Sequence, residues 1–440
     1  MKATALFLAL GPVVLATPFP QPDSAAVYPN GITMSLQGRK IDRDVSALRR
    51  RSSPCPRNVP LDTWLRYGED MQWYANFTVG TPPQTLTALI DPGSQDFVFP
   101  GVQCGSSCGT HNRFDSAKST SFSPLPGVRS ELGYGTGGTP VPLDFSHVVG
   151  ANATAYTDTV CLGGLCQPDT PINVADTYSP ELNDQPMDGI FGVAYAQGGE
   201  DPKPSWWKSV VDSGKVPSAE ISFYVVPGKP HSSELTLGGR DPTKYHGPVT
   251  TLDLDEVSST GYGAYIIDLP AIYIDGKRVT NSTAPGRPPL PYGSINLDYG
   301  SSVVAAPSLE AARELYSRIS PKIQVIDPLG AWGAPCDVLD RVKKDVVFTF
   351  GSTGKLQRNM TLAKEDLNVG PYPGLNGICQ AVIIHFGNVT NFNRYSPNKN
   401  PGWIVGSPVT KNYYTTYDEQ KFKYTVATPN WRVSDPAHRF

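Results

Sequence analysis

Hydrophobic residues open the chain as one apolar run, Ala5 to Ala16, lose all periodicity from about Pro20 to Arg51, and return as many short strand-like runs. The opening run follows Met1-Lys2 and exits through Thr17-Pro18-Phe19-Pro20, which predicts a secretory signal peptide over residues 1–19. It is too short to span a bilayer, and no later stretch approaches the roughly twenty apolar residues a span needs. The polar stretch ends in Arg49-Arg50-Arg51 before Ser52. This predicts a propeptide over 20–51 with a basic processing site, the alternative being a solvated basic turn.

Beyond residue 51, about 389 residues remain, more than one hydrophobic core normally serves, so two lobes are expected. The predicted lobes are residues 52–240 and 241–440. With 42 Gly, 43 Pro and short β-rich runs, the class reads mainly β. Removing residues 1–51 leaves 30 basic and 37 acidic residues, a formal charge of about −7 behind a basic leader. Such a net-negative surface repels nucleic acid, which is not expected as a partner. Arg39, Lys40 or Arg43 of the leader could pair with active-site carboxylates at neutral pH and release them in acid.

Seven cysteines and five Asn-x-Ser/Thr sites (Asn76, Asn152, Asn281, Asn359, Asn388) behind a signal peptide predict an oxidising, glycosylating route to secretion. The close pairs Cys104/Cys108 and Cys161/Cys166 could be metal ligands, but no complementary His cluster accompanies them, and the compartment favours disulfides. Cys161-Leu-Gly-Gly-Leu-Cys166 reads as a bridged hairpin with a Gly-Gly turn. Cys336 and Cys379 form the third predicted pair, leaving Cys55. The six His residues (111, 147, 231, 246, 385, 438) show no ligand spacing, so neither metal nor organic cofactor is expected.

The chemistry lies in an internal duplication. Leu86-Thr87-Ala88-Leu89-Ile90 leads into Asp91-Pro92-Gly93-Ser94 and is answered by Ile190-Phe191-Gly192. Ile295-Asn296-Leu297 leads into Asp298-Tyr299-Gly300-Ser301-Ser302 and is answered by Ile404-Val405-Gly406. The near-equal spacings predict two similar units. A strand ending in Asp-x-Gly-Ser can turn at the glycine and present the carboxylate at its tip. Alone, the motif is equally an Asx-type turn. Paired on matching lobes, two such carboxylates can meet, where like charges cannot both ionise and one proton is shared.

The flanking segments resemble the pepsin-like aspartic protease family over nearly all of residues 70–427. They include Tyr74-Ala-Asn-Phe-Thr-Val-Gly-Thr-Pro-Pro-Gln84, Cys104-Gly-Ser-Ser-Cys108, Leu132-Gly-Tyr-Gly-Thr-Gly-Gly138, Met187-Asp-Gly-Ile-Phe-Gly-Val-Ala-Tyr195, Leu237-Gly-Gly-Arg-Asp241 and Tyr413-Tyr-Thr-Thr-Tyr-Asp418. The resemblance implies a bilobal fold of two β-barrel-like lobes with a cleft between them. It also implies a monomeric acid endopeptidase, without a membrane anchor, that takes an extended polypeptide into the cleft. Carried over by position, Asp91 and Asp298 match the catalytic dyad, and Ser94 and Ser301 the hydroxyls on its outer oxygens. Gly93 and Gly300 match the amides on its inner oxygens, and Tyr134, Gly135 and Thr136 the substrate-covering flap.

Three positions depart from the family pattern. Pro92 and Tyr299 stand where the family places Thr or Ser, whose hydroxyls bond amides of the opposite lobe, and Pro supplies neither hydroxyl nor N–H. Pro92 packing on the Tyr299 ring is the expected substitute. Val98 replaces the Trp that bonds the flap tyrosine, so Tyr134 is expected to be held less firmly. A repurposed catalyst acting on a small molecule, or a binding protein of the same fold, are the alternatives these departures raise.

Overall fold

The structure is a computed structural model. It describes residues 54–134, 150–194, 203–255, 265–279, 293–385, 402–418 and 420–434. The predicted signal peptide and propeptide, Gly135 and Thr136 of the predicted flap, and sequons Asn281 and Asn388 lie outside the described residues.

The fold is mainly β, as the short apolar runs predict, and its two halves repeat one plan. In the first, strand Gln84–Asp91 runs parallel to Gly189–Gly192, which pairs antiparallel with Phe97–Pro100, itself parallel to Leu165–Tyr178. In the second, Ser294–Leu297 runs parallel to Trp403–Val405, which pairs antiparallel with Val304–Ala306, itself parallel to Ile383–His385. Each apolar-apolar-Gly segment is thus an inner strand of one of two matching four-strand arrangements. Their glycines are sterically required. A Cβ on Gly192 would stand 2.5 Å from the Asp96 carbonyl oxygen, and one on Gly406 at 2.5 Å from that of Val303. Only a bare backbone lets the chain pass so close beside the Asp-bearing turn.

The halves share a base. Tyr414–Asp418, from the second half, pairs antiparallel with Glu220–Tyr224, which continues through Ser233–Leu237 to Arg57–Arg66 at the start of the described chain. A continuous core runs through both halves, including Phe77, Phe191, Trp206, Tyr299, Phe348 and Trp403. Helix Leu309–Ile319 buries Ala311, Ala312, Leu315, Tyr316 and Ile319 and is capped by Ser308, whose hydroxyl accepts the Ala311 N–H at 3.1 Å.

All three predicted cysteine pairs are bridged, Cys104–Cys108, Cys161–Cys166 and Cys336–Cys379. Cys161 and Cys166 lie directly opposite one another in the hairpin of Gly150–Leu162 and Leu165–Tyr178. Its turn glycines take φ 58° and 75°, the left-handed values a two-residue hairpin turn demands. Asn76 and Asn359 are exposed on strands, and Asn152 is half-buried. No helix among the described residues is long and apolar enough to cross a membrane.

Candidate active site

Asp91 closes its strand and Asp298 follows directly on Leu297, and backbone bonds fix both tips. The Val193 N–H donates to the Asp91 carbonyl at 2.9 Å, and the Asp298 N–H to the Val405 carbonyl at 3.1 Å. The two side chains are held alike. Gly93 N–H donates to Asp91 Oδ1 at 2.8 Å and Ser94 Oγ–H to Oδ2 at 2.6 Å. Gly300 N–H donates to Asp298 Oδ1 at 2.7 Å and Ser301 Oγ–H to Oδ2 at 2.7 Å. The carboxyls face each other across the join. A Cβ on Gly93 would lie 2.6 Å from the Asp298 carboxyl carbon, and one on Gly300 would lie 2.7 Å from that of Asp91. Both aspartates are buried. Burial first, and the Asp298 charge second, hold the Asp91 carboxyl well above the usual carboxylate range, against the opposing pull of Ser94 and Gly93.

Tyr299 joins the halves by aromatic packing. Its ring stacks on Phe223 (centroids 4.3 Å apart, planes 13°) and meets Trp73 edge-on at 6.1 Å. Its hydroxyl donates to the Thr410 carbonyl at 2.9 Å and accepts from Thr415 Oγ1 at 3.3 Å. Phe223 and Trp73 sit on strands far from Tyr299 in sequence, and no local motif marks them as its partners.

Three further residues cross the join beside the dyad. Gln72 Nε2 donates to the Gly300 carbonyl, and Ser407 Oγ to the Met71 carbonyl at 2.8 Å. Lys411, itself buried, pairs with Asp366 at 2.8 Å and Asp70 at 3.5 Å. Burial pulls its ammonium down, but the Asp366 and Asp70 charges outweigh that and hold it above its ordinary value. Ser407 follows directly on Ile404-Val405-Gly406, where the first repeat has Val193, so the duplication offered no signal for it. Gln72 and Lys411 carried none either.

Tyr134 packs against a buried cluster of the first half that includes Val98, Leu89 and Ile190. Its hydroxyl is buried without a hydrogen-bond partner among the described residues, which accords with Val98 offering no donor. Burial, then the charges of Asp96 and Asp91, push its phenol well above the ordinary tyrosine value. Among the described residues no group of three or more His, Cys, Asp or Glu is placed to hold a metal ion.

Comparison with known proteins agrees with this geometry. The family model for eukaryotic aspartyl proteases matches residues 72–428. The chain is 25% identical over 388 residues to major aspartyl peptidase 1 of Cryptococcus neoformans var. grubii, covering 85% of this chain and 72% of that one. It is 25% identical over 394 residues to cathepsin D of Canis lupus familiaris, covering 86% and 85%. It is 24% identical over 430 residues to the probable aspartic-type endopeptidase OPSB of Arthroderma benhamiae, covering 94% and 78%. A match running from the strand before the first aspartate to beyond the last shared strand settles the family, and this chain belongs to the eukaryotic aspartyl proteases as an aspartic endopeptidase.

Proposed function

We propose that the protein is a secreted acid endopeptidase in which Asp91 and Asp298 activate water against a peptide carbonyl. The carrying observation is the symmetric pair of buried carboxylates, each held by a glycine amide and a serine hydroxyl, with Asp91 pushed toward its protonated form. The aspartic-protease dyad is the standard case of two such carboxyls sharing one proton. The ionised carboxylate takes a proton from a water molecule lying between the pair, and the water oxygen attacks the carbonyl carbon. The protonated carboxyl gives its hydrogen to the carbonyl oxygen, forming a tetrahedral diol. Collapse of that diol breaks the C–N bond as the leaving nitrogen takes up a proton.

Ser94 and Ser301 occupy the outer oxygens and so leave the facing oxygens for water. The flap containing Tyr134, Gly135 and Thr136 covers an extended substrate and excludes bulk water. Residues 1–19 direct secretion. Residues 20–51 keep the enzyme silent until acid weakens the pairing of Arg39, Lys40 or Arg43 with the dyad and processing occurs near Ser52. The mature lobes, 52–240 and 241–440, act as a monomer.

The test is digestion of an unfolded protein by the acid-processed chain, with and without a dyad inhibitor such as pepstatin. Inhibitor-sensitive cleavage in acid is expected. Absence of cleavage across the acid range, or cleavage indifferent to the inhibitor, would overturn the reading.

A further inference from the structure

The two halves present corresponding cross-strand rows beside the dyad, and the rows differ in polarity at one position. In the first half Leu89 pairs with Ile190, and Ile190 with Val98, all within an apolar cluster that Tyr134 of the flap strand packs against. In the second half Asn296 pairs with Ile404, and Ile404 with Ala305. Leu89 and Asn296 each precede their aspartate by two residues. With the period-2 alternation of a strand, each therefore shares the face its aspartate presents. Burial agrees, since Ile295 and Leu297 enter the main core, whereas Ile404 and Ala305 form a small separate cluster on the other face. So the row beside Asp91 is wholly apolar and buried, and the row beside Asp298 carries a half-buried carboxamide.

Asn296 is only half-buried, yet its Oδ1 is buried and has no hydrogen-bond partner among the described residues. Leaving a buried acceptor unmet is costly, and a ligand's donor can recover that cost. We propose that Asn296 sets substrate preference, selecting a side chain that bears a hydroxyl or carboxamide for the residue flanking the scissile bond on the Asp298 side. Leu89 and its neighbours, buried and apolar, offer no polar group to a residue on the other side, which favours an apolar one there. A carboxamide both accepts and donates, so it matches Ser, Thr, Asn or Gln and leaves an aliphatic residue facing an unpaired amide. The inference rests on the peptidase reading above.

The experiment is mass-spectrometric sequencing of the bonds cut in a diverse peptide mixture at acid pH by the processed wild type, Asn296→Leu and Asn296→Ser. Wild type should favour Ser, Thr, Asn and Gln over Leu and Val by about tenfold in kcat/KM at one flanking position, with apolar residues at the other. Asn296→Leu, which copies Leu89 in the second row, should reverse the preference at that position alone, and Asn296→Ser should retain it. Aliphatic preference at both positions in wild type would overturn the inference and leave the peptidase reading standing, even if Asn296→Leu failed to fold. So would an Asn296→Leu profile identical to wild type. A wild-type chain that cuts nothing would overturn both.

Discussion

At the scale of single residues, Tyr299 has exchanged a small hydroxyl's hydrogen bond for an aromatic contact spanning the join. Tyr299→Phe keeps the ring and deprives the Thr410 carbonyl of its donor. A loss of about 1 to 3 kcal/mol in urea unfolding is expected, with cleavage largely kept. Tyr299→Thr empties the space against Phe223 and Trp73, and should cost about 3 to 5 kcal/mol and much of the rate. Adding Pro92→Thr tests whether the two positions act together. Coupling above about 0.5 kcal/mol in a double-mutant cycle would show that they do, and additive effects that they do not. Asp91 makes a prediction with a definite sign. Its carboxyl binds a proton more tightly folded than unfolded, so stability falls as pH rises from the ordinary carboxylate range through the raised value. Asp91→Asn removes that loss and should melt roughly 2 to 4 °C above wild type at about pH 7, with the gap closing toward about pH 3. A gap indifferent to pH would contradict the assignment. Asp91, Asp298 and their serines were legible in the sequence because each carboxylate is held by residues two and three positions on. The partners of Tyr299 were not, because they come from strands brought together only by the completed fold.

At the scale of elements, glycines do two different jobs that a substitution can separate. Gly164 sits in the hairpin turn at φ 75° with open space around it, so Gly164→Ala should cost only the backbone strain, about 1 to 2 kcal/mol. Gly192 lies against the backbone of residues 94–96, with its Cβ position 2.5 Å from a carbonyl oxygen. Gly192→Ala should cost at least about 3 kcal/mol and disturb Asp91, which pairs with Gly192 in register. Comparable melting of the two variants would contradict the close crossing. Both glycines could be read from the sequence, one from the Cys-x-Gly-Gly-x-Cys spacing and the other from the repeated apolar-apolar-Gly segment. Their distinct physical reasons became visible only with the neighbouring chain in place.

At the scale of the whole molecule, two lobes could be inferred from length and duplication, whereas the bonds between them could not. The shared base rests on Tyr414–Asp418 pairing with Glu220–Tyr224, strands nearly two hundred residues apart. Local pattern predicts each strand but not which strand it meets. The buried Lys411 cluster is likewise assembled from three distant segments. Lys411→Met would leave the Asp366 and Asp70 carboxylates without their cation, at an expected cost of about 3 to 5 kcal/mol read by chemical denaturation. On the proposed reading, these contacts hold two carboxyls face to face with one proton shared between them. The most direct measurement of that claim is the pH profile of cleavage by the processed wild type, Asp91→Asn and Asp298→Asn. The predicted result is a rate confined to acid, falling as the shared proton is lost, and reduced at least about a thousandfold in each variant. A rate that persists in either variant, or that holds level into neutral pH, would contradict it.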